Sequence, residues 1–131
     1  MLQDPKAQRF SADFTEQWLE LHKIDIVNPH DDILTHTFGD RRGAKISHLK
    51  PFLMQEGIAV FELILNENLS LTNFIDSDFV VINKLLNEIY KLKNDDKDVF
   101  EKDEDPKAFR KVMLDKESHR GGLLSQAGIL M

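Results

Sequence analysis

Apolar side chains in the first part of the chain recur every three to four residues, at Ala7, Phe10, Phe14, Trp18 and Leu21. That spacing predicts an amphipathic helix from about residue 5 to 22, with Lys6, Arg9, Asp13, Glu16 and Glu20 turned to solvent. Asp4 suits an N-cap, and Pro5 suits the first helical position, where no backbone donor is needed. Residues 25–43, DIVNPHDDILTHTFGDRRG, break the period and read as a connection.

A second helical pattern starts at Ser47 or just before Pro51 and carries two adjoining stripes. One runs through Leu53, Gly57, Val60 and Ile64, and the other through Met54, Ile58, Phe61 and Leu65. So wide an apolar face predicts the central helix of a small bundle. A short turn or helical piece capped by Ser70 follows, and then DSDFVVINKLLNEIYKLK. There Asp76 and Asp78 suit the positive end of a helix whose face is Phe79, Ile82, Leu86 and Ile89. FVVI alone has strand propensity, but the length of the continuing period favours helix.

Residues 93–108 are nearly all charged, with Val99 and Phe100 the only large apolar side chains, and read as a surface loop. FRKVMLD alternates as a short extended segment, SHRGG is a turn, and LLSQAGILM is helix or strand. The chain is therefore expected to be mainly α, a small bundle of about three main helices with a long charged loop and a short C-terminal segment. Phe14, Trp18, Phe61, Ile64, Ile82 and Leu86 are expected to share its core.

At 131 residues the chain has the size of one domain, and its net charge of −6 argues against a nucleic-acid partner, which needs clustered cations. No apolar run reaches the roughly 18 residues of a membrane span. With no cysteine, the chain itself can form neither a disulfide nor a c-type haem attachment. The start MLQDPKAQRF lacks the basic and apolar regions of a secretory signal.

Chemistry is harder to place. His30, Asp31, Asp32 and His36 gather four potential metal ligands in one loop, but in no recognised metal spacing, and solvated loop residues are the favoured reading, with no metal assigned. Acids are abundant without any pair being selected for hydrolysis, and neither a nucleophile elbow nor a phosphate-binding loop occurs. Glu56 falls on the apolar side of the central helix, where a carboxylate needs a partner. A structural pairing is favoured over catalysis.

Four strings, FSADFTEQWLELHKID, EGIAVFELILNENLSL, FIDSDFVVINKLLNEIY and RGGLLSQAGIL, occur in that order. Together they resemble the family called domain of unknown function 1592, followed by the start of its usual neighbour, domain of unknown function 1588. Gln17, Trp18, Leu19, Glu56, Asp76, Asp78, Asn83, Leu86, Tyr90, Arg120, Gly121, Gly122, Leu123 and Leu124 stand at motif positions. Of these, Gln17, Trp18, Glu56, Asp76, Asp78, Asn83, Tyr90, Arg120, Gly121 and Gly122 are the structural candidates, and the resemblance makes Arg9 or Arg120 the expected cation for Glu56. The chain departs from the pattern at Gly57, where a Thr is expected, at Ile89 in place of a His, and at Lys91 in place of a helix-ending Gly.

The resemblance implies a helical domain over residues 1–117 and the truncated start of the neighbouring module over 118–131, so that the chain would be a fragment. It further implies a periplasmic or cell-surface location in large exported proteins of planctomycetes and marine bacteria, often with haem c elsewhere in the polypeptide. The expected role is a structural or interaction module whose partners are other domains of the same polypeptide. The alternative is part of an enzyme acting oxidatively or hydrolytically on complex polysaccharides. Leu123, Leu124, Ile129, Leu130 and Met131 form an apolar set behind a Gly121–Gly122 hinge, which leads to the expectation of a homodimer through the C-terminal segment.

Overall fold

The computed structural model of the chain describes residues 4–26, 43–90, 92, 100, 105–115 and 121–130. His30, Asp31, Asp32, His36, Arg120 and Met131 lie outside the described residues, as does most of the acidic stretch 93–108.

Helix α1 spans Pro5–Trp18, and Asp4 caps it by accepting a hydrogen bond from the Lys6 backbone N–H at 2.8 Å. It stops at Trp18 rather than continuing to 22, because Glu20 adopts a left-handed conformation with φ 52°. The Glu20 N–H then donates to Gln17 O and the Leu21 N–H to Glu16 O, the paired bonds of a Schellman cap. Leu21 is buried beneath that cap, and α2 follows at Lys23–Ile26.

Helix α3 is the axis of the molecule and runs Gly43–Asn66, beginning before Ser47 and carrying Pro51 within it at an exposed position. Its C-terminus repeats the cap of α1. Asn68 has φ 51°, its N–H donates to Leu65 O, and the Leu69 N–H donates to Ile64 O. Ser70 caps a single 3-10 turn, Leu71–Phe74, through its side chain, as expected.

The next segment corrects the helix expected from Asp76. Phe79–Ile82 form strand β1, and only Lys84–Tyr90 form helix α4. β1 pairs antiparallel with β2, Arg110–Met113, in the register Phe79↔Met113 to Ile82↔Arg110. The extended reading of FRKVMLD thus holds. Every residue of β1 is buried: Val80 and Ile82 enter one apolar cluster and Phe79 and Val81 the other. A strand covered on both faces has a continuous apolar run in place of alternation, which is why its period could be taken for a helix.

Residues 121–130 hold a 3-10 turn, Leu123–Ser125, and helix α5, Ala127–Leu130. They pack on α3 and on the loop before β1, with Leu123 and Gln126 buried and Ile129 against both clusters. The fold is mainly α with one small sheet, and its core lies between α3, β1 and α4.

Candidate functional site

The largest departure from expectation is the rotation of α1. Phe10, Phe14 and Trp18, read as its buried face, are 66%, 43% and 49% exposed, whereas Ser11 and Thr15 are buried. The Ser11 hydroxyl donates to Ala7 O and the Thr15 hydroxyl to Ser11 O, at 2.9 and 2.7 Å, so both are satisfied inside their own helix. These small side chains let α1 approach the domain closely. The aromatic residues are displaced to the flank, and the single core expected around them is instead two apolar clusters, one with Ile82 and Leu86 and the other with Ile64, while Phe61 is only half-buried.

The displaced rings form one ridge. Phe10 and Phe14 lie 5.9 Å apart between centroids, and Phe14 and Trp18 lie 6.0 Å apart. Two half-buried rings support them: Phe61 of α3 is 5.6 Å from Phe14, and Phe74 of the 3-10 turn is 5.5 Å from Trp18. Leu71, at the start of the same turn, and Ile75, just after it, are also exposed. Stacked rings gain about 0.5–1.5 kcal/mol per pair beyond burial, so the ridge holds its shape while open to water.

Behind this face the motif residues form buried polar joints. Glu56, 1% exposed on α3, accepts from the Tyr90 hydroxyl, which lies 2.7 Å from Oε2 and 2.9 Å from Oε1. Tyr90 is a partner of Glu56 that the sequence did not lead one to expect. Arg9 is exposed on α1, and Arg120 lies outside the described residues. Asn83 is the N-cap of α4: its Oδ1 accepts from Leu86 N–H at 2.9 Å, and its Nδ2 reaches Lys107 O at 3.5 Å. Capping here also ties the loop before β2 to the helix.

Asp76 and Asp78 are exposed, and neither begins a helix. Ser77, which sequence reasoning passed over, is the working residue between them. Its buried hydroxyl donates to Phe79 O at 2.7 Å and accepts from Gly122 N–H at 2.9 Å. Asp78 contributes its backbone carbonyl, which accepts from Leu114 N–H at 2.7 Å. The two glycines, expected as a hinge, are a clamp. A Cβ at Gly121 would sit 2.5 Å from Ser77 O, and one at Gly122, where φ is +70°, would sit 2.2 Å from Ile75 O.

Gln17 is exposed on α1. Gln126 is 4% exposed, and its Oε1 has no hydrogen-bond partner, pointing at the bare helix surface of Gly57. Among titrating groups, partial desolvation raises the Glu62 carboxyl above its ordinary range, while the hydrogen bond and charge of Lys23 lower that of fully exposed Glu20. Among the described residues no group of three acids or histidines could hold a metal ion, and no helix is long and apolar enough to cross a membrane.

A mainly α domain, with Glu56, Asn83, Tyr90, Gly121 and Gly122 forming joints between α3, α4, β1 and the 121–130 segment, is the class that this geometry defines. Residues 1–92 match the family described as Protein of unknown function (DUF1592), and the chain belongs to that family. The matched span ends just after α4, so the strand that pairs with β1 comes from outside it. Comparison with curated proteins and with solved structures found no match.

Proposed function

We propose that this chain is a non-catalytic structural and interaction module of a larger exported protein, and that it docks through the aromatic ridge of α1. The observation that carries the reading is the inverted helix: three large aromatic side chains stay 43–66% exposed while Ser11 and Thr15 take the buried positions. Exposed apolar patches of this kind are characteristic of interaction surfaces. The interior polar groups support the same reading, since Glu56, Tyr90, Asn83 and Ser77 engage one another or the backbone.

In this reading residues 118–131 open a neighbouring module resembling domain of unknown function 1588, other domains of the polypeptide are partners, and the protein is periplasmic or at the cell surface. Haem c, if the protein carries it, is attached elsewhere, because this chain has no cysteine to bind it covalently.

Hydroxyl-radical footprinting of Phe10, Phe14 and Trp18 tests the proposal. Their oxidation should be slower in the full polypeptide than in this chain at low concentration. Equal rates would show that the ridge contacts nothing there, and the proposal would fail.

A further inference from the structure

We infer that the partner of the aromatic ridge is a second copy of this chain, docked antiparallel with α1 against α1. The inference rests on the interaction-module reading and specifies its occupant. The ridge is close to palindromic about Phe14. An aromatic residue stands four positions to either side, and the two ring spacings are 5.9 and 6.0 Å. A two-fold axis at Phe14 therefore sets Phe14 against its own copy and Phe10 against Trp18 of the second copy. That self-complementarity is what an isologous interface requires.

Charge selects the same orientation. Lys6 and Arg9 occupy the first half of α1, and Asp13 and Glu16 follow in the second, with no ion pair to any of the four among the described residues. Glu20, just beyond the helix, is paired with Lys23. An antiparallel pair brings each basic half alongside the acidic half of the other copy. A parallel pair would set like charges side by side. The antiparallel arrangement also opposes the two helix dipoles favourably.

Sedimentation equilibrium of the whole 131-residue chain is the test. The chain should show a monomer–dimer equilibrium, and Phe10→Glu should weaken it by about tenfold or more, by placing a charge against Trp18 of the second copy at both ends of the contact. Phe10 is 66% exposed, so that variant should keep the wild-type unfolding midpoint.

A chain that stays monomeric to about 1 mM overturns the inference, as does a dimer indifferent to Phe10→Glu. A monomer whose ridge is nonetheless protected from radicals in the full polypeptide would overturn the second copy alone. A monomer with an unprotected ridge would remove the interaction reading as well.

Discussion

Gly57→Ser should make this protein more stable, although it adds a hydroxyl to a buried surface. A Cβ at Gly57 would lie 3.4 Å from Leu19 Cδ1, 3.5 Å from Leu21 Cδ1 and 3.6 Å from Gln126 Oε1, all ordinary contact distances. Gly57→Ala should therefore gain about 0.8–1 kcal/mol of helix propensity, plus up to about 0.8 kcal/mol for the buried methyl. Serine gives back about 0.5 kcal/mol of propensity but brings a donor. A hydroxyl on a carbon 3.6 Å from Oε1 can reach that oxygen at about 2.9 Å, a normal hydrogen bond. Gln126 Oε1 is a buried acceptor without a partner, and satisfying such a group is worth about 1–3 kcal/mol. The serine variant should thus exceed the alanine variant by about 1 kcal/mol. In urea unfolding this is a higher midpoint at unchanged slope, or about 3–5 °C in Tm. Repeating both substitutions on Gln126→Met, which removes the acceptor, should erase the difference. A serine variant no more stable than alanine, or a difference that survives Gln126→Met, would refute the packing of residues 121–130 on α3 described above.

Tyr90→Phe removes a donor from the buried Glu56 carboxylate and should cost about 1–3 kcal/mol in chemical denaturation; a loss below about 0.5 kcal/mol would mean that the pairing contributes nothing. Gly122→Ala must displace the Ile75 carbonyl and hold a side chain at φ +70°, so a loss above about 3 kcal/mol is expected, with 121–130 released to rapid hydrogen exchange. For Glu62, burial raises the folded-state pKa above the ordinary 4.5, so its contribution to stability is full below 4.5 and is lost as pH rises through the folded value. Glu62→Gln should accordingly raise the unfolding midpoint at pH 7 and leave it unchanged at lower pH, and a gain that persists below 4.5 would rule out ionisation as the cause.

Signals confined to one turn of chain were legible before the structure: the Asp4 cap with Pro5, the Ser70 cap, the apolar width of α3 and the extended run that becomes β2. What could not be read depended on contacts distant in sequence. FVVI is a strand because β2 and two apolar clusters surround it, and a short continuous apolar run carries no period that separates strand from helix. Helix α1 offered two faces, and the aromatic one has the greater hydrophobicity. The deciding hint was Ser11 and Thr15 at i, i+4, since small hydroxyls that bond their own helix permit close approach where Phe does not. Glu56 was recognised as needing a partner. One donor, the Tyr90 phenol, lies 34 residues away on a helix that starts later than the sequence pattern suggests. The Gly121–Gly122 pair was visible as a motif, but its reason, backbone pressed against the carbonyls of residues 75 and 77, is purely tertiary.

The outward turn of α1 underlies both the interaction reading and the proposed self-association, and the chain's single tryptophan lies on that face. Acrylamide, being uncharged, reaches an indole without bias from the surrounding acids, so its quenching of Trp18 measures the exposure directly. At low concentration the native protein should be quenched strongly, as suits a side chain 49% exposed, and the quenching should fall as the chain is concentrated. A native protein whose Trp18 resists acrylamide even at high dilution would place that side chain in the core and contradict the account.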